Sequence, residues 1–181
     1  IGFFHVGMWT ATIQNISVQR ADQIGATEFQ IGLLNVIYML SMMLMSLMLA
    51  FLFSKKGKDI NCGNAIAIAF MLSAFYHFTY MHLHNFILLG IVQVIAGIYS
   101  AIIASCGIKM ALETVPDNVK NVAMGIYQTF VALGISLVPS LIGALVDHTS
   151  NLFTYNIIGV ANIALIIYSF FTNREDIVKI N

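Results

Sequence analysis

The sequence predicts an all-α membrane protein: a single bundle of six transmembrane helices occupying residues 1–181. Three observations lead there. The chain is 59% hydrophobic and only 9% charged, with a mean hydropathy of +0.87, whereas soluble domains carry roughly 25% charged residues. Its apolar residues form runs long enough to cross a bilayer. Lys and Arg collect in alternate connectors. A soluble fold of this size has no place for so much apolar surface, so the excess must face lipid.

Each span needs about 20 apolar residues at a rise of about 1.5 Å each. The run 30–53 contains no charge, and 63–81, 86–108, 122–146 and 152–172 are bounded by polar or charged residues. The first run, 1–19, is uncharged but carries His5, Thr10, Thr12, Gln14, Asn15, Ser17 and Gln19. One set of connectors, with the tail, holds Lys55, Lys56, Lys58, Lys109, Lys120, Arg174 and Lys179, while the opposite set holds only Arg20. Basic connectors mark the cytoplasmic side. Both termini are therefore expected in the cytoplasm, in a cell membrane that for a bacterium is the inner one. Without the first span, five helices and an external N-terminal segment would remain.

The zero net charge supplies no field for nucleic acid. Cys62, placed in the lysine-rich connector, and Cys106, within an apolar span, form no disulfide framework. His77, His82 and His84 fall near one membrane face, but no carboxylate or Cys joins them as metal ligands, so neither a metal nor another cofactor is expected. No nucleophile with a base partner is visible, and no catalytic residue is expected. Five methionines, Met39, Met42, Met43, Met45 and Met48, crowd the second span as lipid- or core-facing filler, or as an adaptable pocket wall. The small-residue pairs Gly90/Gly97 and Gly134/Gly143 allow close helix approach where lipid gives no hydrophobic drive for association.

Polarity inside the spans carries the functional signal. On a regular helix His5, Trp9, Thr12, Asn15 and Gln19 fall in one stripe, with Thr10, Gln14 and Ser17 roughly opposite. Polar groups at membrane depth must face protein or water, so this helix belongs inside the bundle, lining a solute pathway or bonding to neighbouring helices. Gln93, Tyr99, Ser100 and Ser105, then Tyr127, Gln128 and Thr129, with Asn35 and Tyr38, form a second polar set. Hydroxyls, amides and aromatic rings in an apolar cleft suit a neutral or amphipathic organic molecule. They equally serve as contacts between helices. No Asp or Glu lies in mid-span.

Three stretches then resemble the C-terminal six-helix half of a transporter of the major facilitator superfamily (MFS). Leu52-Phe53-Ser54-Lys55-Lys56-Gly57-Lys58 is similar to the family's loop pattern L-x-D-R-x-G-R/K, with Ser54 in place of Asp. Val115-Pro116-Asp117 through Ala123-Met124-Gly125 resembles the short connector before the family's eleventh helix, with Lys120-Asn121 replacing the usual Arg-Gly. Gly134, Pro139, Gly143 and Asp147 resemble that Gly/Pro-rich helix and its end. The resemblance implies alternating access by two six-helix halves, with the first and fourth helices of each half lining the cavity. It makes Lys55, Lys56, Gly57 and Lys58 a cytoplasmic gate or anchor, and Gly134, Pro139 and Gly143 packing positions.

The residues expected on the cavity wall are His5, Trp9, Thr12, Asn15, Gln93, Tyr99 and Tyr127. The expected function is half of a secondary transporter moving a small organic solute or exporting a drug-like one. Its partners would be the bilayer, the solute, and either an N-terminal six-helix half or a second copy. A start at Ile1 without Met is read as a fragment of a twelve-helix chain. The competing class is a membrane scaffold, with the polar first span buried against a partner helix.

Overall fold

A computed structural model describes residues 11–54 and 60–178 of the chain, with side chains described through 168. His5, Trp9, Lys55, Lys56, Gly57 and Lys58 lie outside the described residues. The first helix, α1, is a π-helical turn Thr12–Ile16 running straight into the α-helical Ser17–Gln23. It is followed by α2 (Glu28–Ser54), α3 (Cys62–Tyr80), α4 (Phe86–Glu113), α5 (Lys120–His148) and α6 (Asn151–Val178).

Helices α2 to α6 are each long and apolar enough to cross a bilayer. Five of the six expected apolar runs thus fall on helices of sufficient length. Of the first, residues 11–19 are helical, and that helix runs on to Gln23. All of these helices but α3, which ends at Tyr80, overrun the hydrophobic limits read from the sequence at both ends or at the C-terminal end. Helix α4 ends at Glu113 and not at 108, and carries Lys109 on its last turns. There the ammonium lies 4.7 Å over the Phe53 ring and 3.6 Å from Glu113. A long stem lets a lysine reach out of an apolar helix in this way. Cys62 is corrected too: it opens α3 and is buried, because Asn61 caps that helix by accepting from the Asn64 N–H at 3.0 Å.

The connectors away from the lysine-rich ends are short and tightly bonded. After α1, Ala26 N–H donates to Ala21 O at 3.0 Å and Gly25 N–H to Asp22 O at 2.8 Å. This is a Schellman ending, and it requires the left-handed residue supplied by Gly25 at φ +82. Thr27 and Gln30 then cap α2 reciprocally: Gln30 Oε1 accepts from Thr27 N–H at 2.8 Å and Thr27 Oγ1 from Gln30 N–H at 3.3 Å. Asn85 accepts from Ile87 N–H to start α4, and Ser150 from Phe153 N–H to start α6.

Packing is uneven. Helix α4 lies along both α2 and α3, and α6 lies along α3, while α5 touches α4 and α6 lightly. The apolar windows of α3 and α4 are each 56% buried, against 11% for α2 and 17% for α5. The latter two turn broad apolar faces outward, including Met43, Leu44, Leu47 and Phe51 on α2 and Val122, Ile126, Phe130, Leu137 and Leu141 on α5. Gly97 marks a very close helix contact. A Cβ there would stand 2.5 Å from Tyr38 O and 2.6 Å from Ser41 Cβ, so α4 and α2 meet backbone to backbone. Its partner Gly90 is looser, with Ile37 Cδ1 at 3.5 Å. Gly134 is buried on α5, Pro139 sits within that helix, and Gly143 faces open space.

Arg20 ties the end of α1 to the α3–α4 connector. Its Nη2 donates to Leu83 O at 3.0 Å and stands 3.0 Å from His84 Nδ1. A guanidinium only donates, so His84 Nδ1 acts as the acceptor in this pair. Replacing Arg20 by Met should speed amide exchange at residues 82–86 several-fold while α2 is unaffected, as read by hydrogen–deuterium exchange mass spectrometry.

Candidate functional site

The polar residues of the spans separate into two groups: a sealed interior cluster and an open cavity wall. The cluster lies between α1, α3, α4 and α6. Tyr76, Tyr80, Tyr99 and Tyr155 are all fully buried, and the Tyr76 ring contacts the rings of His77, Tyr80, Tyr99 and Tyr155 at centroid distances of 5.1, 5.0, 6.0 and 6.3 Å. His77 is buried, with Nδ1 2.7 Å from Ser73 O; a carbonyl only accepts, so Nδ1 carries the hydrogen. The Asn162 amide stands 3.4 Å from the same nitrogen. His82 and His84, by contrast, are exposed. Among the described residues no three His, Cys, Asp or Glu side chains gather as metal ligands would.

Two tyrosines of this cluster hold α1. Tyr155 Oη donates to Thr12 O at 3.0 Å and Tyr80 Oη to Ser17 O at 3.3 Å. Asn151 Nδ2 adds a bond to Gln19 Oε1 at 3.2 Å. Two of these bonds end on backbone carbonyls, so of the polar side chains of α1 only Gln19 takes part in this docking against α3 and α6.

The open wall lies on the other side of α1. A cavity of about 250 Å³ is lined by Ile13 and Gln14 of α1 and by Asn35, Tyr38 and Met39 of α2. Its polar groups are two amides and a phenol, with no charged side chain among the lining residues. Tyr38 Oη is turned toward Met42 Sδ at 3.4 Å, and Met39 is 55% exposed. Two carboxamides, each offering donor and acceptor, beside an aromatic ring and a thioether can grip a neutral molecule that has both polar and apolar parts.

Of the residues expected on the cavity wall, the described ones, Thr12, Asn15, Gln93, Tyr99 and Tyr127, do not share one surface. Thr12 is fully buried toward Tyr155, and Asn15 is exposed. Gln93 and Tyr99 are buried inside the bundle; Gln93 Oε1 has no hydrogen-bond partner among the described residues. The Tyr127 hydroxyl would lie 3.0 Å from a Cβ on Gly107, so that ring rests against α4. The reason for the dispersal is local. The stripe was drawn on a regular helix, but Thr12–Ile16 form a π turn, in which Ser17 N–H bonds to Thr12 O, five residues back. The wider turn buries Thr12 and Ser17 and presents Gln14, which regular spacing placed on the face opposite Thr12. Asn35 and Tyr38 were visible in the sequence as polar members of an otherwise apolar span. Gln14 was visible too as a polar residue of the first run, but on the face opposite the expected wall, since the π turn has no sequence signature.

Long apolar helices in one bundle, with an open, uncharged cavity of mixed polarity between α1 and α2, are the build of a multi-pass membrane protein with room for a small molecule. Residues 1–180 match the Major Facilitator Superfamily, and the chain belongs to that superfamily of membrane transporters. No curated protein matches it.

Proposed function

We propose that the chain is one six-helix half of a secondary transporter, carrying an uncharged small organic or drug-like solute by alternating access, in uptake or in efflux. The observation that carries this reading is the cavity between α1 and α2, whose polar lining consists of Gln14, Asn35 and Tyr38 and is free of charge. In this reading Asn15 adds to the wall from α1, and His5 and Trp9, outside the described residues, contribute to the same site. Thr12, Gln93 and Tyr99 back it from within the bundle, and Tyr127 joins it from α5, which touches α4. Solute is held by hydrogen bonds and aromatic contact, without covalent chemistry or a bound cofactor.

The exposed apolar faces of α2 and α5 are open to lipid, and the half-transporter reading seats an N-terminal six-helix half or a second copy of the chain against part of them. In this reading the protein sits in a bacterial inner membrane with both termini cytoplasmic, which the basic connectors support. Lys55, Lys56, Gly57 and Lys58 then act as a cytoplasmic gate or anchor.

The test is thermal melting of the complete protein against a panel of uncharged polar organic solutes. At least one solute should raise the melting temperature, and Asn35→Leu should weaken its apparent affinity about tenfold, the effect of losing a hydrogen bond to a buried partner. A scaffold would respond to no solute, and stabilisation that survives Asn35→Leu intact would remove Asn35 from the site.

A further inference from the structure

The π turn of α1 is held by two side chains that make no direct contact with the cavity. A turn of this kind leaves its carbonyls poorly placed for the ordinary helical ladder, and it persists where other donors take them up. Here Thr12 O accepts both the Ser17 N–H and, from across the bundle, the Tyr155 hydroxyl at 3.0 Å. Ile13 O accepts the Ser17 hydroxyl. Tyr155 and Ser17 are both buried, and the Tyr155 ring is fixed by contacts with His77 at 5.3 Å and Tyr80 at 6.1 Å. The donors are therefore rigid, and they fasten the two carbonyls immediately before the residue that enters the cavity, Gln14.

We propose that Tyr155 and Ser17 are positioning residues that lock the Thr12–Ile16 π turn and thereby present Gln14 to the solute cavity. One residue on a helix corresponds to about 100° of rotation. If the turn lost its extra residue and closed to α-helical register, the faces before and after it would rotate against each other by about that angle, and Gln14 would leave the cavity wall. The side chain facing the solute is thus set from α6, on the far side of α1. Its functional meaning rests on the proposed role of the cavity, but the geometry can be tested without any solute.

The complete protein, in its membrane and with Cys62 and Cys106 replaced by Ala, would carry either Gln14→Cys or Asn35→Cys. Each is reacted with a small water-soluble methanethiosulfonate. Adding Tyr155→Phe should slow labelling at position 14 about fivefold, the shift that one lost hydrogen bond can produce, while labelling at position 35 is unchanged. Ser17→Ala should act in the same direction, and it carries the test alone if Tyr155→Phe does not accumulate in the membrane. Tyr80→Phe removes a hydroxyl bonded beyond the turn, at Ser17 O, and should leave both rates as they were. A purely structural role for Tyr155 and Ser17 would alter both positions together or neither, and either result would overturn the proposal. Failure to find a transported solute would bear on the function of the cavity and leave this geometric result standing.

Discussion

Replacing Gly97 by Ala is expected to destabilise the bundle by about 1–3 kcal/mol, the range for overfilling a close-packed interior, and to lower the melting temperature measurably. The added methyl would stand 2.5 Å from Tyr38 O, 2.6 Å from Ser41 Cβ and 2.8 Å from Met42 N. Two of these three neighbours are backbone atoms, which cannot swing aside as a side chain does. Helices α2 and α4 must then part by about an ångström to restore an ordinary carbon contact of about 3.5 Å. Because Tyr38 also lines the cavity, the same substitution should weaken solute binding. Gly90→Ala is the control, since its methyl meets only Ile37 Cδ1 at 3.5 Å. Melting curves of the two variants side by side would check the claim; equal curves would mean that α2 and α4 are not in backbone contact.

Tyr76 gives the second large effect, and its two variants should diverge. Tyr76→Ala removes a fully buried ring that touches four other aromatic rings, and should cost about 3–5 kcal/mol, as other buried aromatic truncations do. Tyr76→Phe keeps the ring and removes only a hydroxyl, which lies beside that of Tyr155. A single hydrogen bond contributes about 1 kcal/mol net, so this variant should lose far less than Tyr76→Ala. A Tyr76→Phe melting as low as Tyr76→Ala would show that ring packing is not what Tyr76 contributes.

The bundle itself was largely readable because its causes are local and repetitive. Runs such as 30–53 have no charge to end a span, and the Asn, Thr and Ser residues that cap α2, α3, α4 and α6 stand where the apolar runs begin. Gly97 was likewise visible as half of a small-residue pair, though the sequence does not say that α2 is the helix it meets. The site was less legible for two physical reasons. Helical stripes presuppose a constant number of residues per turn, and the π turn at Thr12–Ile16 breaks that rule just where Gln14 enters the cavity. The tyrosine cluster is a long-range product of α3, α4 and α6 packing together; Tyr76, Tyr80 and Tyr155 look in sequence like ordinary span residues. The pattern Tyr76-His77…Tyr80 on one apolar helix was the available signal, since a histidine at that depth needs partners.

The central claim is that the cavity between α1 and α2 opens alternately to the two sides of the membrane. It is tested most directly with Asn35→Cys in the complete protein, with Cys62 and Cys106 replaced by Ala. Right-side-out and inside-out sealed vesicles are each treated with a membrane-impermeant maleimide. The account predicts labelling at position 35 from both faces. Labelling from one face only, or from neither, would contradict it.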